Sequence, residues 1–264
     1  MINHHHLSFG EAMLHYTQSG KGEKKLLLFH GFGQNRHAFE QWTEYLGHTY
    51  TLYSFDLFFH GQSHWPMRQP LKKSDWREII TIFLSTHHIH SFEVAGFSMG
   101  GKFALLTLEW FPDRVNHLIL MAPDGIKTSF WYSLATYPWA ARSLFKSMIL
   151  KPSRLFTLIT LLRKFQLVDK GLLRFAESQM STEEKRRRVY YSWVYFRHLK
   201  FNVHQIASLL NTSDIPLTMI AGQFDRVIKP QDMKRFCQNV NRARYIEIES
   251  GHNELINRVL PNIW

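Results

Sequence analysis

The stretch that most constrains this chain runs from Val94 to Leu106 and reads Val-Ala-Gly-Phe-Ser-Met-Gly-Gly-Lys-Phe-Ala-Leu-Leu. A short apolar run breaks at Gly96-Phe97-Ser98-Met99-Gly100, and a helical pattern follows in which Phe103, Ala104, Leu105 and Leu108 can face a core. The predicted order is strand, tight turn, helix. A serine at the tip of so sharp a turn sits in strained backbone, so the residues two before and two after it must lack a Cβ. Gly96 and Gly100 meet that demand, and Gly101 adds room for the helix to approach the strand. Such a turn would hold the Ser98 hydroxyl at a helix N-terminus, where backbone N–H groups and the positive end of the dipole favour developing negative charge. The same residues also fit a glycine-rich strand-to-helix turn that carries an idle serine.

Around this stretch the chain alternates strands and helices. Leu7 to Gln18 reads as an edge hairpin closed by Ser19-Gly20-Lys21-Gly22, and Lys25 to Phe29 as a short strand covered on both faces. Arg36 to Leu46 has helical spacing, Tyr50 to Phe55 is a strand, the stretch from about Lys73 to Thr86 a helix and Val115 to Met121 another buried strand. After Ala122-Pro123-Asp124-Gly125 no strand pattern appears for about ninety residues, and apolar and basic residues mix at helix-like spacing. The sheet pattern returns at Pro216 to Gly222, followed by a helix near Gln231 to Asn239 and a strand at Ala243 to Glu249. This alternation predicts an α/β fold, a mostly parallel central sheet with helices on both faces. The expected division is a core of residues 1–123 and 214–264 with a helical cap of residues 124–213 inserted into it.

Two further loops hold titratable groups at strand ends. Gly222-Gln223-Phe224-Asp225-Arg226-Val227-Ile228 places Asp225 after one strand, and Ser250-Gly251-His252-Asn253 places His252 after the last. With His30-Gly31-Phe32-Gly33 and Asp56 through Ser63, these stretches and Gly96 through Gly101 resemble the α/β-hydrolase family over nearly the whole chain, most like its capped esterase, lipase and carbon–carbon hydrolase branches. Any one stretch is common by chance; five in the right order, each ending a predicted strand, are not. One departure is plain: the relatives' Asp-Leu-Pro-Gly-His-Gly-x-Ser appears here with Phe58 and Phe59 at the Pro and Gly positions, so this loop is expected to follow a different path near the pocket.

The resemblance implies a serine hydrolase of carboxylic esters or thioesters with a fairly apolar acyl group, working through an acyl-enzyme. Ser98 would be the nucleophile and His252 the base. Asp225 would hold the imidazole, and the backbone N–H groups of Phe32 and Met99 would form the oxyanion hole. Asp124, after the preceding strand, is the alternative acid. A carbon–carbon bond hydrolase, an acyltransferase of the same fold, or a hydrolase-fold binding protein without activity are the other readings. No cofactor and no metal are expected. His30 and His60 read as structural histidines, Ser63 as a loop serine, and His87, His88 and His90 as a solvated loop.

Composition bounds the partners. The 264 residues carry a net charge of +11, but 15 Lys or Arg stand against 5 Asp or Glu between Asp124 and Ser213, so the charge belongs to the predicted cap. Nucleic acid is therefore not expected as a partner, and no recognised motif for it is present. Leu144 to Gln166 reads as a pair of helices broken at Pro152, whose apolar face would roof a substrate cavity with Trp131, Tyr132, Tyr137 and Trp139 at its entrance. Its interspersed Arg142, Lys146, Lys151, Arg154, Arg163 and Lys164 also suit peripheral contact with an anionic membrane surface. The Arg186-Arg187-Arg188 run would attract an anionic head group or form a solvated face. A single cysteine, no apparent signal peptide and no membrane-length apolar run predict a cytoplasmic protein. The oligomeric state stays open.

Overall fold

The computed structural model describes residues 2–66, 68–127, 132–133, 136–165 and 177–260. The chain divides into two compact units, residues 1–127 with 199–264 and residues 128–198.

The larger unit is built on an eight-stranded sheet. In chain order the strands are β1 (Ile2–Phe9), β2 (Ala12–Ser19), β3 (Lys24–Phe29), β4 (Tyr50–Phe55), β5 (Phe92–Phe97), β6 (Val115–Met121), β7 (Leu217–Gly222) and β8 (Ala243–Ile248). Their order across the sheet is β1-β2-β4-β3-β5-β6-β7-β8. The pairs β1 with β2 and β2 with β4 are antiparallel; all the others are parallel. Strands β4, β5 and β7 are buried along their whole length and β3 from Leu26 to Phe29, as befits strands covered on both faces.

Alternation along each strand divides the core into two layers. Leu26, Leu28, Leu52, Ala95, Phe97, Ile119 and Met121 share one cluster with Phe39, Trp42 and Leu46 of the segment Arg36–Leu46, and with Leu255, Ile256 and Val259 near the C-terminus. That segment is a 3₁₀ turn over Arg36–Phe39 continuing into α1 (Glu40–Leu46). On the other face, Phe29 packs against Phe55, against Trp76 of α2 (Lys73–Thr86) and against Phe103 of α3 (Gly100–Trp110). The buried residues of α2, Trp76, Ile79, Ile80, Phe83 and Leu84, fall at the spacing of one helical face.

The smaller unit contains α4 (Trp139–Leu150), α5 (Pro152–Lys164) and α6 (Glu183–Tyr195). Pro152 opens α5 at a position where its missing N–H costs nothing. Thr182 caps α6 by accepting from the Lys185 N–H at 3.2 Å. The helix-like spacing within residues 124–213 resolves toward its C-terminal side into two helices. The first, α6, stops at Tyr195, and the second is α7 (Val203–Thr212), where the Asn202 side chain accepts from the N–H groups of His204 and Gln205. By its packing α7 belongs to the sheet-bearing unit, against α3, with Ile206, Ala207 and Leu210 buried. Two short helices close the sheet-bearing unit, α8 (Pro230–Cys237) and α9 (Leu255–Arg258).

Candidate active site

Ser98 stands between the end of β5 and the start of α3 with φ of +49°, a left-handed conformation that side chains rarely adopt. Three backbone bonds fix it there. Its N–H donates to Met121 O at 2.9 Å, and its carbonyl accepts from the N–H groups of Gly101 and Asp124, both at 2.8 Å. The flanking glycines are sterically required. A Cβ on Gly96 would lie 2.5 Å from Gly100 O, and one on Gly100 would lie 2.0 Å from Phe29 O.

Two loops from the same edge of the sheet meet Ser98. The Ser98 hydroxyl lies 2.9 Å from His252 Nε2, and His252 Nδ1 lies 2.6 Å from Asp225 Oδ2. A carboxylate only accepts, so Nδ1 carries the proton and Nε2 is left as the acceptor for the hydroxyl. The other carboxylate oxygen, Asp225 Oδ1, accepts from the N–H groups of Val227 and Ile228 at 2.8 and 2.9 Å. Three donors thus converge on a side chain with no solvent exposure. The His252 ring is steadied by Phe97, with ring centroids 5.2 Å apart.

Asp124 is held elsewhere. Its carboxylate pairs with the buried Lys102 ammonium at 2.8 Å, and among the described residues it makes no contact with His252.

The segment after β3 is a tethered loop. His30 is fully buried; its Nδ1–H donates to Gly31 O at 2.7 Å and its Nε2 accepts from the Leu57 N–H at 3.0 Å, which joins this loop to the one after β4. The Gly31 N–H donates to Gln34 Oε1 at 2.9 Å. Among the described residues the N–H groups of Phe32 and Met99 make no hydrogen bond.

The loop after β4 is organised by Asp56, which is fully buried, accepts from the N–H groups of Arg36 and Gln62, and pairs with the Arg36 guanidinium. His60 N–H bonds Leu57 O at 3.0 Å with Phe59 at φ of +67°, which is the type II turn that a Pro–Gly pair favours. The substitution of Phe58 and Phe59 thus keeps that turn, with Phe59 holding a left-handed conformation usually given to glycine. His60 Nδ1–H donates to Phe58 O, and Ser63 Oγ accepts from the His15 N–H, so both stabilise backbone. Gln34 and Arg36, which hold these two loops, carry no motif of their own in the sequence; the polar run directly after His30-Gly31-Phe32-Gly33 is the signal there.

Other candidates are accounted for. His87 is not solvated: it is half-buried, its Nε2 lies 2.7 Å from the Tyr16 hydroxyl, and its ring contacts those of Tyr53 and Phe83. Burial pushes the Cys237 thiol up to about 11, which makes it a poor nucleophile near neutral pH. Among the described residues no group of three or more His, Cys, Asp or Glu is placed to hold a metal ion, and no helix is long and apolar enough to cross a membrane. The arginine run is engaged internally: Arg186 is buried and donates to Ile149 O and Met180 O, while Arg187 and Arg188 pair with Glu183 and Glu184. The Tyr132 and Tyr137 hydroxyls donate to Trp193 O and Arg197 O, and Trp131 lies outside the described residues.

Comparison with known proteins agrees with this architecture. The chain is 24% identical over 261 residues to Lipase 1 of Psychrobacter immobilis, covering 95% of this chain and 78% of the lipase. It is 32% identical over 99 residues to a pimeloyl-[acyl-carrier protein] methyl ester esterase of Neisseria meningitidis, a match spanning 38% of this chain and 30% of that one. A thermophilic esterase structure from Thermogutta terrifontis superposes with a TM-score of 0.70 at 17% identity, covering 99% of this chain and 96% of the other, which shows a shared fold. The model of the α/β hydrolase fold matches residues 24–259, and the chain therefore belongs to the α/β-hydrolase fold family of enzymes.

Proposed function

We propose that the chain is a serine hydrolase of carboxylic esters or thioesters, acting through Ser98, His252 and Asp225. The observation that carries the reading is the unbroken line of hydrogen bonds from the Ser98 hydroxyl through both nitrogens of His252 to a carboxylate without solvent exposure.

A serine hydroxyl is too weakly acidic to attack a carbonyl unaided at neutral pH. His252 Nε2 accepts its proton as Ser98 Oγ bonds to the acyl carbon, and Asp225 stabilises the imidazolium that forms. The carbonyl electron pair moves to oxygen, and that oxyanion takes hydrogen bonds from the N–H groups of Phe32 and Met99. Losing one such donor typically costs about 10²- to 10³-fold in rate. Collapse of the intermediate expels the alcohol or thiol, which takes the proton from His252. Water then repeats the sequence on the acyl-enzyme, releasing the acid and regenerating Ser98. Asp124, held by Lys102, stands outside this relay.

The lipase and methyl ester esterase among the relatives support an ester substrate with a largely apolar acyl chain. A fluorophosphonate probe tests the mechanism: the protein should gain one adduct, on Ser98, and Ser98→Ala should gain none. Undiminished labelling of Ser98→Ala would remove the reading. A panel of p-nitrophenyl esters of increasing chain length then defines the acyl preference.

A further inference from the structure

Residues 139–165 of the smaller unit combine two properties that rarely occur together. Trp139, Leu144, Leu150, Phe156, Leu158, Leu161 and Phe165 are exposed large apolar side chains, whereas soluble surfaces scatter such residues singly. The same 27 residues carry Arg142, Lys146, Lys151, Arg154, Arg163 and Lys164 and no acidic residue.

The two kinds of side chain interleave along the helices. On α5, Leu155 and Ile159 are buried, and a different stripe, Arg154, Leu158 and Leu161 with the C-cap residue Phe165, is exposed at successive spacings of four, three and four. On α4, Phe145, Met148 and Ile149 are buried, and the exposed line runs Trp139, Ser143, Lys146 and Leu150. Each helix therefore packs one apolar face and leaves large apolar side chains exposed on another side, with a cation in each exposed line, Lys146 on α4 and Arg154 on α5. Among the described residues Lys146, Lys151 and Arg154 make no ion pair, while Arg163 pairs with Glu177.

We propose that this open face is a docking surface for an anionic phospholipid membrane. Apolar side chains enter the acyl boundary while Lys and Arg stems reach up to the head groups, and an exposed Trp suits the interface between the two. Charge complementarity selects this occupant. A neutral lipid surface leaves the cations unmatched, and a nucleic acid leaves the large apolar side chains of the two exposed lines, Trp139, Leu150, Leu158, Leu161 and Phe165, in water. The binding requires no turnover and is independent of the assignment of Ser98.

The test is sedimentation of the full chain with vesicles of phosphatidylcholine alone and of phosphatidylcholine with phosphatidylglycerol. Binding to the anionic vesicles is expected, weakening with added salt. The triple variant Lys146→Gln, Lys151→Gln, Arg154→Gln should lose about a hundredfold in vesicle affinity, because each cation near the surface contributes roughly fivefold. Leu158→Ser with Leu161→Ser should weaken vesicle binding as well, with circular dichroism confirming that both variants fold. The proposal is overturned by equal binding to both vesicle types, by wild-type affinity in the folded triple variant, or by binding of a DNA oligonucleotide that the leucine variant retains while vesicles show none.

Discussion

The Lys102 ammonium lies 2.8 Å from the Asp124 carboxylate, and that ion pair separates two acids that occupy equivalent positions at the ends of neighbouring strands. Asp225 faces His252 at 2.6 Å; Asp124 faces a buried lysine on α3. Asp225→Asn is therefore expected to lower kcat/KM on an ester by about 10³- to 10⁴-fold, because the asparagine no longer holds the imidazole in the reactive tautomer. Asp124→Asn should leave kcat nearly intact and lower stability by about 1–2 kcal/mol, a modest figure because the Asp124 side chain is one-third exposed. Steady-state kinetics and urea unfolding of the two variants check this. A reversed pattern would make Asp124 the acid.

The glycines around the site divide by what a methyl group would meet. On Gly100 it would lie 2.0 Å from a main-chain carbonyl of β3, which cannot yield without moving the sheet. Gly100→Ala should cost about 3 kcal/mol or more and abolish labelling of Ser98. On Gly251, directly before His252, nothing lies within 4 Å and the backbone is not left-handed. Gly251→Ala should therefore stay within about 0.5 kcal/mol of wild type. Thermal unfolding of both proteins is the measurement, and a destabilised Gly251→Ala would point to a constraint on the His252 loop.

The sequence was informative where local chemistry is decisive. The strand Val115–Met121 and a helix from about Lys73 to Thr86 are readable from the sequence, because apolar spacing sets them. The serine turn was readable because only glycine fits its neighbours. What sequence could not show depends on contacts between distant segments. Nothing near Asp124 announces that Lys102, twenty-two residues earlier, reaches it. Nothing near His87 shows that the β1–β2 hairpin folds Tyr16 onto it. Phe59 in a left-handed turn contradicts its own propensity, and the loop is held by contacts from distant segments, the buried Asp56 with Arg36 and Gln62 and the His30 ring on the Leu57 N–H.

His87 should make stability depend on pH. Burial, with the nearby charges of His5, His88 and Lys25, lowers its pKa below the ordinary 6.5, and the Tyr16 hydroxyl, itself pushed up to about 12, donates to its neutral Nε2. The unfolded chain then binds more protons than the folded one between the lowered value and 6.5. Stability is fully present above pH 6.5 and declines as pH falls toward the folded value. The melting temperature should therefore drop between pH 7.5 and 5.5. His15, also lowered by burial, contributes in the same direction, so His87→Gln should flatten this slope without erasing it. An unchanged slope in His87→Gln would remove His87 from the account.

His30 tests whether the loop bearing Phe32 has to be held in place. Its imidazole pairs two backbone groups at once, Gly31 O and the Leu57 N–H, and the residue is completely buried. His30→Ala leaves both groups without that partner, a loss of about 2–4 kcal/mol at typical costs for buried polar groups. Gly31 directly precedes Phe32, so if the Phe32 N–H serves as the proposed oxyanion donor the same change should displace it. A donor misplaced by a fraction of an ångström weakens transition-state stabilisation more than ground-state binding, and kcat should fall about 10- to 100-fold with KM little altered. Kinetics at a temperature well below the variant's melting point separate the two effects. Reduced stability with wild-type kcat would confine His30 to folding and detach the loop tether from the chemistry.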